Sequence, residues 1–238
     1  GFNVPPGPND PQMAVFPEEQ TLAFEVGAKT RWLDGRLSAD LALFYTDYDN
    51  FQNTIFLNGV NTVLSVDEVD VKGLEVALRG DLGGGFTTDL GFAYTESKIG
   101  PYIVPDPLGS GQMVDYTGNR TPNSPRFTLN VGGEYTAEIG QATLNIRLDY
   151  QHVGKLYYEV DNILHSPDHG WLNARISVAW QNFEVAVWAK NLTDERWAIS
   201  AFGQTQLALL QGLGPGGPFD SFTINKGAQY GARIKARF

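Results

Sequence analysis

The residues best suited to chemistry lie in one short predicted loop. The cluster consists of Asp161, His165, Asp168 and His169. Imidazole and carboxylate groups this close in sequence can ligate a divalent cation, but nothing in the pattern fixes their geometry. Asp168 and His169 could also belong to a hydrolytic triad, yet the G-x-S-x-G elbow that would carry the nucleophile is missing. Solvated loop residues are the better interpretation, so we expect no metal site, no catalytic residue and no enzymatic activity.

Two glycine-rich stretches are the next candidates. Gly212 to Gly217 resembles a phosphate-binding loop in glycine content alone, because the lysine and the following helix of such a loop are missing. Gly109-Ser110-Gly111 lies in a long polar stretch and has no resemblance to a nucleophile elbow. Flexibility at a loop tip explains the first stretch, the second lies in a loop of another kind, and we expect no cofactor.

The composition excludes several classes of function. The chain has no cysteine, which removes disulfides, thiolate catalysis and cysteine-based zinc sites. Its formal net charge of −10 argues against nucleic acid as a partner, because phosphate binding needs a clustered basic surface. No apolar run approaches the ~18 residues of a transmembrane helix. Abundant glycine and aromatic residues, with only 18% charged residues, favour many strands joined by turns.

Alternation of apolar and polar residues predicts a series of strands. The clearest is the segment 144–151, in which aliphatic residues and a tyrosine alternate with polar and charged residues. The last stretch, Thr223 to Phe238, has one apolar face and one strongly cationic face. Before it, one very long strand is predicted from Phe183 to about Leu207. The polar stretch Lys98 to Ser124 shows no strand pattern.

About nine strands are predicted in total, and their connections alternate in length. Short turns are expected at 34–36, 83–85, 138–141 and 181–182, and longer loops at 98–124, 161–169 and 211–220, with Asn58–Asn61 ambiguous. In an up-and-down meander, all short turns then lie at one end and all long loops at the other. Transmembrane β-barrels have this asymmetry.

The two faces of the strands favour a membrane barrel over a soluble β-sandwich. Large apolar residues occupy one face, and aromatic residues gather near strand ends, as in the girdles of outer-membrane barrels. The other face is predicted to hold the charge pairs Glu25 with Lys29 and Arg147 with Asp149, which suits a wet interior. Several predicted strands exceed the ~5–6 residues usual in soluble proteins and reach the ~9–11 that span a bilayer. The aromatic residues are Trp32, Tyr45, Tyr94, Tyr150, Trp180 and Phe238.

The strand count suggests part of a larger barrel. Bacterial barrels have an even number of strands with both chain ends on the periplasmic side. With Phe238 periplasmic, nine strands place residues 1–19 on the extracellular side and leave two unpaired edges in lipid, which a bilayer does not tolerate. The opening GFNVPPGPNDPQ also lacks the basic and apolar regions of a signal peptide, so we expect either processing or a longer parent protein.

The end of the chain resembles that of TonB-dependent outer-membrane receptors. In that family a long penultimate strand carries an Asn-Leu-x-Asp-(x)-aromatic motif, and a loop and a terminal strand ending in an aromatic residue follow. The matching positions are Asn191, Leu192, Asp194 and Trp197, with Arg196 before the aromatic residue. Further similar segments are 22–52, 71–82 and 124–135, so that the resemblance covers nearly all of residues 20–238.

This resemblance implies an all-β, antiparallel, up-and-down transmembrane β-barrel of 22 strands, plugged by an N-terminal domain. Residues 1–238 are then the C-terminal portion of the barrel, with 1–19 as an extracellular loop and 20–238 as strands and loops; the plug is absent from this portion. The implied location is the outer membrane of a Gram-negative bacterium, in contact with its lipid. The implied energy source is the TonB–ExbB–ExbD complex, acting through the missing N-terminal part.

The family places substrate contacts in the outer loops, where aromatic and charged residues often bind ligands. The candidate contacts for a small-molecule ligand are Tyr102, Asp106, Asp115, Tyr116, Arg120, Phe219 and Asp220. In outer-membrane barrels a terminal strand with an aromatic end resembles the signal that the barrel-assembly machinery reads. Tyr230, Ile234 and Phe238 are the candidates for that signal.

The function implied by the family is TonB-energised uptake of a scarce ligand, most often a ferric siderophore or another iron complex. Receptors for oligosaccharide, haem or cobalamin are alternatives within the family. A passive porin-like channel is an alternative of another class, because it needs neither plug nor energy. A soluble lectin-like β-sandwich is a third hypothesis, and it requires a chain that stays monomeric without detergent.

Overall fold

A computed structural model describes residues 15–57, 60–106, 111–203 and 220–237 of the chain, and its regular elements are strands. No helix capable of crossing a bilayer occurs among the described residues. In chain order the strands are β1 (Gln20–Trp32), β2 (Leu37–Leu57), β3 (Val60–Gly83), β4 (Phe86–Ile99), β5 (Ile103–Pro105), β6 (Met113–Asp115), β7 (Phe127–Ile139), β8 (Ala142–Val153), β9 (Leu156–Tyr157), β10 (His165–Ser166), β11 (His169–Trp180), β12 (Phe183–Lys190), β13 (Ala198–Phe202), β14 (Ser221–Ile224) and β15 (Gln229–Ala236).

Nine of these strands form one antiparallel sheet in the order β1-β2-β3-β4-β7-β8-β11-β12-β15. Each strand therefore pairs with the next long strand along the chain, which confirms the predicted all-β, antiparallel meander of about nine strands. The other six strands pair as three small hairpins, β5–β6, β9–β10 and β13–β14. The sheet has β1 at one edge and β15 at the other.

The connections divide into two ends, as the sequence predicts. Tight turns join β1 to β2, β3 to β4, β7 to β8 and β11 to β12 at one end, here called the short-turn end. The turn requires glycine at position 85, because φ there is +85 and a Cβ would lie 2.0 Å from the carbonyl oxygen of Thr136. The three small hairpins all belong to connections at the opposite end, here called the loop end.

Strand register aligns the apolar residues of neighbouring strands on one face of the sheet. One continuous row runs through Val26, Leu43, Leu74, Tyr94 and Phe127. These side chains do not enter a core: Val26 is 67% exposed, Leu43 is 48% exposed, and many others on this face are similarly open. We call this side the apolar face and its reverse, which carries most of the charged residues of the sheet, the polar face.

The buried core lies outside the flat part of the sheet, at the loop end. Val66 and Val69 of β3, with Ile99 at the end of β4, pack against residues of the connections that follow β4 and β8. The cluster is completed by Tyr102, Val104 and Val160. We call the long ends of β2 and β3, together with the three connections that carry the small hairpins, the loop assembly.

Several strand boundaries differ from the sequence predictions. The predicted strand from Phe183 to about Leu207 stops at Lys190, because Asn191 and Asp194 adopt left-handed backbone angles, φ +50 and +52, that reverse the chain. The terminal segment is two strands, β14 and β15, separated by residues 225–228. The stretch 98–124 contains the hairpin β5–β6, which was not predicted.

One predicted charge pair is wrong and another is confirmed. Arg147 and Asp149 form an ion pair. Among the described residues no ion pair joins Glu25 to Lys29. These two residues are four positions apart on an extended strand, a rise of roughly 13 Å, which their side chains do not span.

Candidate ligand-binding surface at the loop end

Tyr102 is the most deeply buried of the predicted ligand contacts. Its side chain is 4% exposed and belongs to the core cluster of the loop assembly. The Nδ2 atom of Asn53 donates a hydrogen bond to its hydroxyl at 3.3 Å, and burial raises the pKa of Tyr102. These contacts favour a packing role, in which Tyr102 holds the loop against β2, while ligand contact by Tyr102 stays a prediction.

Arg120 joins two connections of the loop assembly. Its Nη2 atom donates to the carbonyl oxygens of Thr95 at 2.9 Å and Ser124 at 3.3 Å. Its backbone N–H donates to Oδ1 of Asn162 at 2.8 Å, and Nδ2 of Asn162 donates back to the Arg120 carbonyl at 3.0 Å. Burial lowers the pKa of Arg120, although an arginine stays charged at neutral pH. The guanidinium therefore fixes the shape of the loop.

Asp115 and Tyr116 lie together beside the hairpin β5–β6. Oδ1 of Asp115 accepts a hydrogen bond from the backbone N–H of Thr117 at 2.9 Å, and the Thr117 hydroxyl and N–H lower the pKa of Asp115. Tyr116 is half-buried with its ring 6.1 Å from that of Tyr102, and burial raises its pKa to about 12. Ligand contact by either residue stays a prediction.

The remaining predicted contacts lie at the borders of segments that the structure describes. Asp106 is half-buried, and its backbone N–H donates to the carbonyl of Gln112 at 2.8 Å. Asp220 is exposed at the start of β14. Phe219 lies outside the described residues. Ligand contact by all three stays a prediction.

Sequence reasoning missed a latch between two connections. The Tyr158 hydroxyl donates to the carbonyl of Ala198 at 2.7 Å, and the Gly203 N–H donates to Oε2 of Glu159 at 3.1 Å. Burial raises the pKa of Glu159, and the charges of Asp161 and Asp220 act in the same direction. These bonds tie the connection that carries β9–β10 to the hairpin β13–β14. No local sequence pattern predicts these two hydrogen bonds, because their partners are more than 35 residues apart.

The latched hairpin presents apolar side chains to the surroundings. These residues are 46–58% exposed, which is unusual for two phenylalanines and two isoleucines outside the apolar face of the sheet. Exposed apolar groups beside convergent polar groups are typical of ligand-binding sites. The residues are Ile199, Phe202, Phe222 and Ile224.

Asn191, the first residue of the predicted family motif, caps a tight reversal after β12. Its Oδ1 accepts the Glu195 N–H at 3.0 Å, and its Nδ2 donates to the Glu195 carbonyl at 2.8 Å. The Leu192 N–H donates to the carbonyl of Leu172 on β11 at 2.7 Å. Asparagine suits this position because it tolerates the left-handed backbone and bonds to nearby backbone groups.

The rest of the motif holds the segment that leads into β15. Oδ1 of Asp194 accepts the Ala228 N–H at 2.7 Å and lies 3.1 Å from the Arg196 guanidinium. Asn225 Oδ1 accepts the Trp197 N–H at 3.1 Å. A Cβ at Gly227 would lie 2.1 Å from the Arg196 guanidinium, so the chain comes that close because residue 227 has no side chain. The motif therefore holds the segment before β15 in place through hydrogen bonds and one ion pair.

Trp197 packs the motif against the sheet by stacking on two aromatic rings of β11. Its ring centroid lies 4.8 Å from His169 and 4.6 Å from Trp171, with nearly parallel planes. His169 is 6% exposed, and its Nδ1 lies 2.9 Å from the carbonyl of Pro167. His165 instead contacts the edge of the Tyr157 ring. The loop histidines and their neighbouring acids are therefore engaged in separate contacts.

Three carboxylates lie close together on the apolar side of β2 and β3, where these two strands continue beyond the apolar residues of the sheet toward the loop end. Asp47, Glu68 and Asp70 place one oxygen each within 4.8 Å of one another, and Tyr45 donates a short hydrogen bond to Asp70. The register pairs Asp47 with Asp70, which sequence alone does not reveal. Three oxygens are fewer than the roughly six to eight that Ca²⁺ takes, so this cluster alone does not define a metal site.

The polar face carries ion pairs that cross strands. Arg147 on β8 lies 2.9 Å from Asp89 on β4 and 2.5 Å from Asp149 on its own strand. Gly132 on the intervening β7 makes this possible, because a Cβ there would lie 2.3 Å from the guanidinium. Arg175 pairs with Glu184 at 2.5 Å. Such pairs fit a wetted surface better than a packed core.

The predicted assembly signal lies on the apolar face of the last strand. Tyr230 is 66% exposed and Ile234 is 75% exposed. Ile234 lies between the cationic residues Arg233 and Lys235 of the polar face. Phe238 lies outside the described residues. Recognition of these residues by the barrel-assembly machinery stays a prediction.

Comparison with known proteins points to one family. Residues 1–192 match the family model described as TonB dependent receptor-like, beta-barrel. The probable TonB-dependent siderophore receptor PiuA of Acinetobacter baumannii is 28% identical over 189 residues, which are 77% of this chain and 24% of that protein. The pesticin receptor of Yersinia enterocolitica is 24% identical over 199 residues, covering 82% of this chain and 28% of the receptor. The chain thus spans about a quarter of the length of these relatives.

Solved structures show the same fold. The ferric yersiniabactin uptake receptor FyuA of Yersinia pestis superposes with a TM-score of 0.72 at 20% identity, over 92% of this chain and 30% of the receptor. The siderophore receptor PiuA of Acinetobacter baumannii superposes with a TM-score of 0.68 at 23% identity, over 95% and 30% of the two chains. At this identity the likeness concerns the fold alone.

Proposed function

The chain belongs to the TonB-dependent receptor family of β-barrel proteins, and we propose that it forms wall and outer loops of an outer-membrane receptor for a ferric siderophore or another iron complex. In this proposal the apolar face meets lipid, the polar face lines the interior of a larger barrel, and the loop end is extracellular. The full-length protein takes up its ligand with energy from TonB. The proposal concerns the whole receptor, of which this chain is a portion.

The observation that carries the proposal is the exposed apolar face. Residues such as Phe24 at 60% and Val187 at 52% exposure lie in rows across nine strands. Exposing so much contiguous apolar surface to water is unfavourable, at about 25 cal/mol per Å², and soluble proteins rarely do so. A bilayer removes that cost. The long loops at one end and tight turns at the other match the extracellular and periplasmic sides of such barrels.

The ligand class rests on the relatives and on the loop assembly. Relatives whose names state a ligand include siderophore receptors and an uptake receptor for ferric yersiniabactin. The loop assembly offers the half-buried Tyr116, the exposed Asp115 and the apolar hairpin β13–β14 on connections that hydrogen bonds hold together. Rings and apolar side chains suit the organic part of an iron chelate, and few fixed polar groups orient it.

Uptake of radioactive iron by cells tests the proposal. The full-length protein, produced in an outer-membrane receptor-deficient strain, is expected to restore uptake of at least one ferric siderophore from a defined panel. Uptake should stop when TonB is deleted or when the proton gradient is collapsed. A porin-like channel would instead pass the ligand in both conditions.

Two outcomes contradict the proposal. One is unchanged uptake without TonB, and the other is failure of every non-haem iron chelate while an oligosaccharide, haem or cobalamin is transported. Induction of the gene by iron starvation, measured in parallel, separates the iron ligands from the other classes.

A further inference from the structure

A row of uncharged side chains crosses the polar face of the sheet near the loop end. Strand register places Asn130 of β7 directly opposite Gln151 of β8, and Gln151 directly opposite Trp171 of β11. In each strand these residues alternate with residues of the apolar face, as Gln151 does with Tyr150. The three side chains therefore lie on one side of the sheet, and we call them the amide–indole row.

The two amides of this row have no partner within the described parts of the chain. Neither Asn130 nor Gln151 takes part in a side-chain hydrogen bond there. Asn145, on the same face of β8, differs in this respect, because its Nδ2 atom donates to Oγ1 of Thr136 at 3.1 Å. Gly91, directly opposite Asn130 on β4, has no side chain to cover it. Each free amide keeps two N–H donors and one acceptor oxygen for another molecule.

The indole end of the row is extended by Trp197. The Trp197 ring centroid lies 4.6 Å from that of Trp171 and 4.8 Å from that of His169, with interplanar angles of 19° and 17°. The His169 and Trp171 centroids are only 6.0 Å apart, so Trp197 lies across both rings on one side rather than between them. One face of its indole is thereby covered, and the exposed surface of this half-buried residue lies away from those rings. A further aromatic ring can stack on that surface.

The neighbouring row toward the short-turn end directs no spare cation at the amide–indole row, as far as the described residues extend. Asp89 and Asp149 share the guanidinium of Arg147 at 2.9 and 2.5 Å. Lys190, the last residue of β12, extends away from the amide–indole row, because its ammonium lies 5.7 Å from the ring centroid of Trp188, nearer the short-turn end. An uncharged hydroxyl or amide group is therefore better matched to the row than a carboxylate, since two uncharged amides can pair with it.

We propose that the amide–indole row and Trp197 bind an aromatic ring that carries uncharged hydroxyl or amide groups. The ring stacks on the exposed indole surface, and its substituents bond to Gln151 and Asn130, which lie one and two strand spacings from Trp171, roughly 5 and 10 Å between backbones. A few fixed polar groups beside an apolar surface are typical of sites that orient an organic ligand. The proposal rests on the proposed function and deepens it, because it names an aryl group as the part of the iron chelate that this portion of the receptor recognises.

Fluorine NMR of fluorosalicylamide at slightly acidic pH tests the proposal in the full-length receptor in detergent. This probe is an uncharged ring with one hydroxyl and one amide group, and it contains no iron. We expect saturable binding that an Asn130→Leu/Gln151→Leu variant weakens about tenfold or more, because two hydrogen bonds are lost. The matched control, Asn145→Ala, removes a bonded amide of the same strand and face and should bind the probe as the unmodified receptor does.

Two further measurements address the ring and the indole. Salicylamide without fluorine should displace the probe, whereas citrate, which has no ring, should not. Trp197→Leu should weaken probe binding about fivefold, because the stacking surface is lost. Trp180→Leu, at a site that is 49% exposed on the apolar face, should leave probe binding unchanged.

Four outcomes overturn the proposal. They are binding that does not saturate, unchanged affinity in Asn130→Leu/Gln151→Leu or in Trp197→Leu, an equal loss of affinity in Asn145→Ala, and displacement by citrate as effective as by salicylamide. Because the probe contains no iron and its binding needs no TonB, this test is independent of uptake. Loss of probe binding with intact iron uptake refutes the site alone, and intact probe binding without iron uptake refutes the proposed function alone.

Discussion

The sheet and the loop assembly draw on similar apolar residues but bury them differently. In the sheet, Leu43 and Val187 stay about half exposed on a face shared by nine strands. In the loop assembly, Val66, Val69 and Ile99 are at most 1% exposed in a closed cluster. Under the proposed function, the apolar face of the sheet meets lipid and needs no protein core on that side. The loops would then stand in water, which explains why they have a core of their own.

The comparison also separates two uses of polar groups. On the polar face, charges pair across strands, as Arg147 does with Asp89. In the loop assembly, polar side chains bond to distant backbone groups, as Arg120 does with Thr95 and Asn119 does with Val160 at 2.8 Å. Such bonds replace the ladder that a sheet supplies, because buried backbone groups need partners. The loops are therefore held together by hydrogen bonds, and under the proposed function such a pre-organised surface lowers the entropic cost of binding a ligand.

The largest effect is expected from opening the core of the loop assembly. Ile99→Ala should cost about 2–5 kcal/mol in the local stability of the loops, because it leaves a cavity at a site that is 1% exposed. Limited proteolysis of the full-length protein should then cut within residues 100–126 while the sheet stays intact. Ile176→Ala, at a site that is 45% exposed on the apolar face, should leave the cleavage pattern unchanged. Equal cleavage of both variants would erase the distinction between the two regions.

A charge placed on the apolar face should come next in size. Ile146→Lys is expected to destabilise the protein in a bilayer by about 2–4 kcal/mol if the site lies near the midplane. Asn145→Lys, one residue away on the polar face, should cost far less. Urea titration of the receptor folded into lipid vesicles measures both. Similar values for the two variants would contradict the assignment of the apolar face to lipid.

Removing the cap of the motif should have an intermediate effect on the loops. Asn191→Ala deletes both bonds to Glu195 and leaves a residue with a Cβ at φ +50, so we expect a loss of about 1–3 kcal/mol. Asn191→Gly relieves the backbone strain but not the lost bonds, and should recover part of the loss. Amide hydrogen exchange across residues 191–202 reports both variants. Unchanged exchange in Asn191→Ala would show that the structure of the segment 191–202 does not depend on the Asn191 side chain.

The smallest effect is expected from the titration of Glu159. Burial raises its pKa above the ordinary 4.5, although the hydrogen bond from the Gly203 N–H acts in the opposite direction. The folded surroundings of Glu159 as a whole therefore favour the protonated acid. The stabilisation is full below about pH 4.5 and is lost as pH rises through the raised pKa. The Gly203 bond itself strengthens when Glu159 ionises, so the reporter is the Tyr158 amide, which donates to the carbonyl of Leu164 in the same connection. Its exchange should speed up with pH more than chemistry alone requires. In Glu159→Gln this excess should vanish; if it persists, another group controls the latch.

The alternation of residues was enough to predict the sheet, because a strand sends successive side chains to opposite faces. The segment 144–151 and the turn at 181–182 are where the pattern places them. The predicted strand 183–207 was wrong at Asn191, because left-handed angles at two positions are not visible in an apolar pattern. The hairpin β5–β6 was missed because three-residue strands leave too short a pattern.

The candidate site was only partly accessible to sequence reasoning. Asp115 and Tyr116 were selected for their residue types, and the structure places both in the connection that carries β5–β6, at the loop end. The roles of Tyr102 and Arg120 in holding the loops emerge only from their contacts. The latch through Tyr158 and Glu159 was missed because its partners meet across about 40 residues.

The sequence by itself determined the strands, their two faces, the order of turns and loops, and the resemblance to a receptor family, since all of these are local or periodic. Only the tertiary structure decided which residues of the loops form a core, which amides stay unpaired, and what the Asn191–Trp197 motif does. Those properties depend on register and on contacts between distant segments. Gln151 shows the difference: a plain glutamine in sequence, it lies between Asn130 and Trp171 once three strands are aligned.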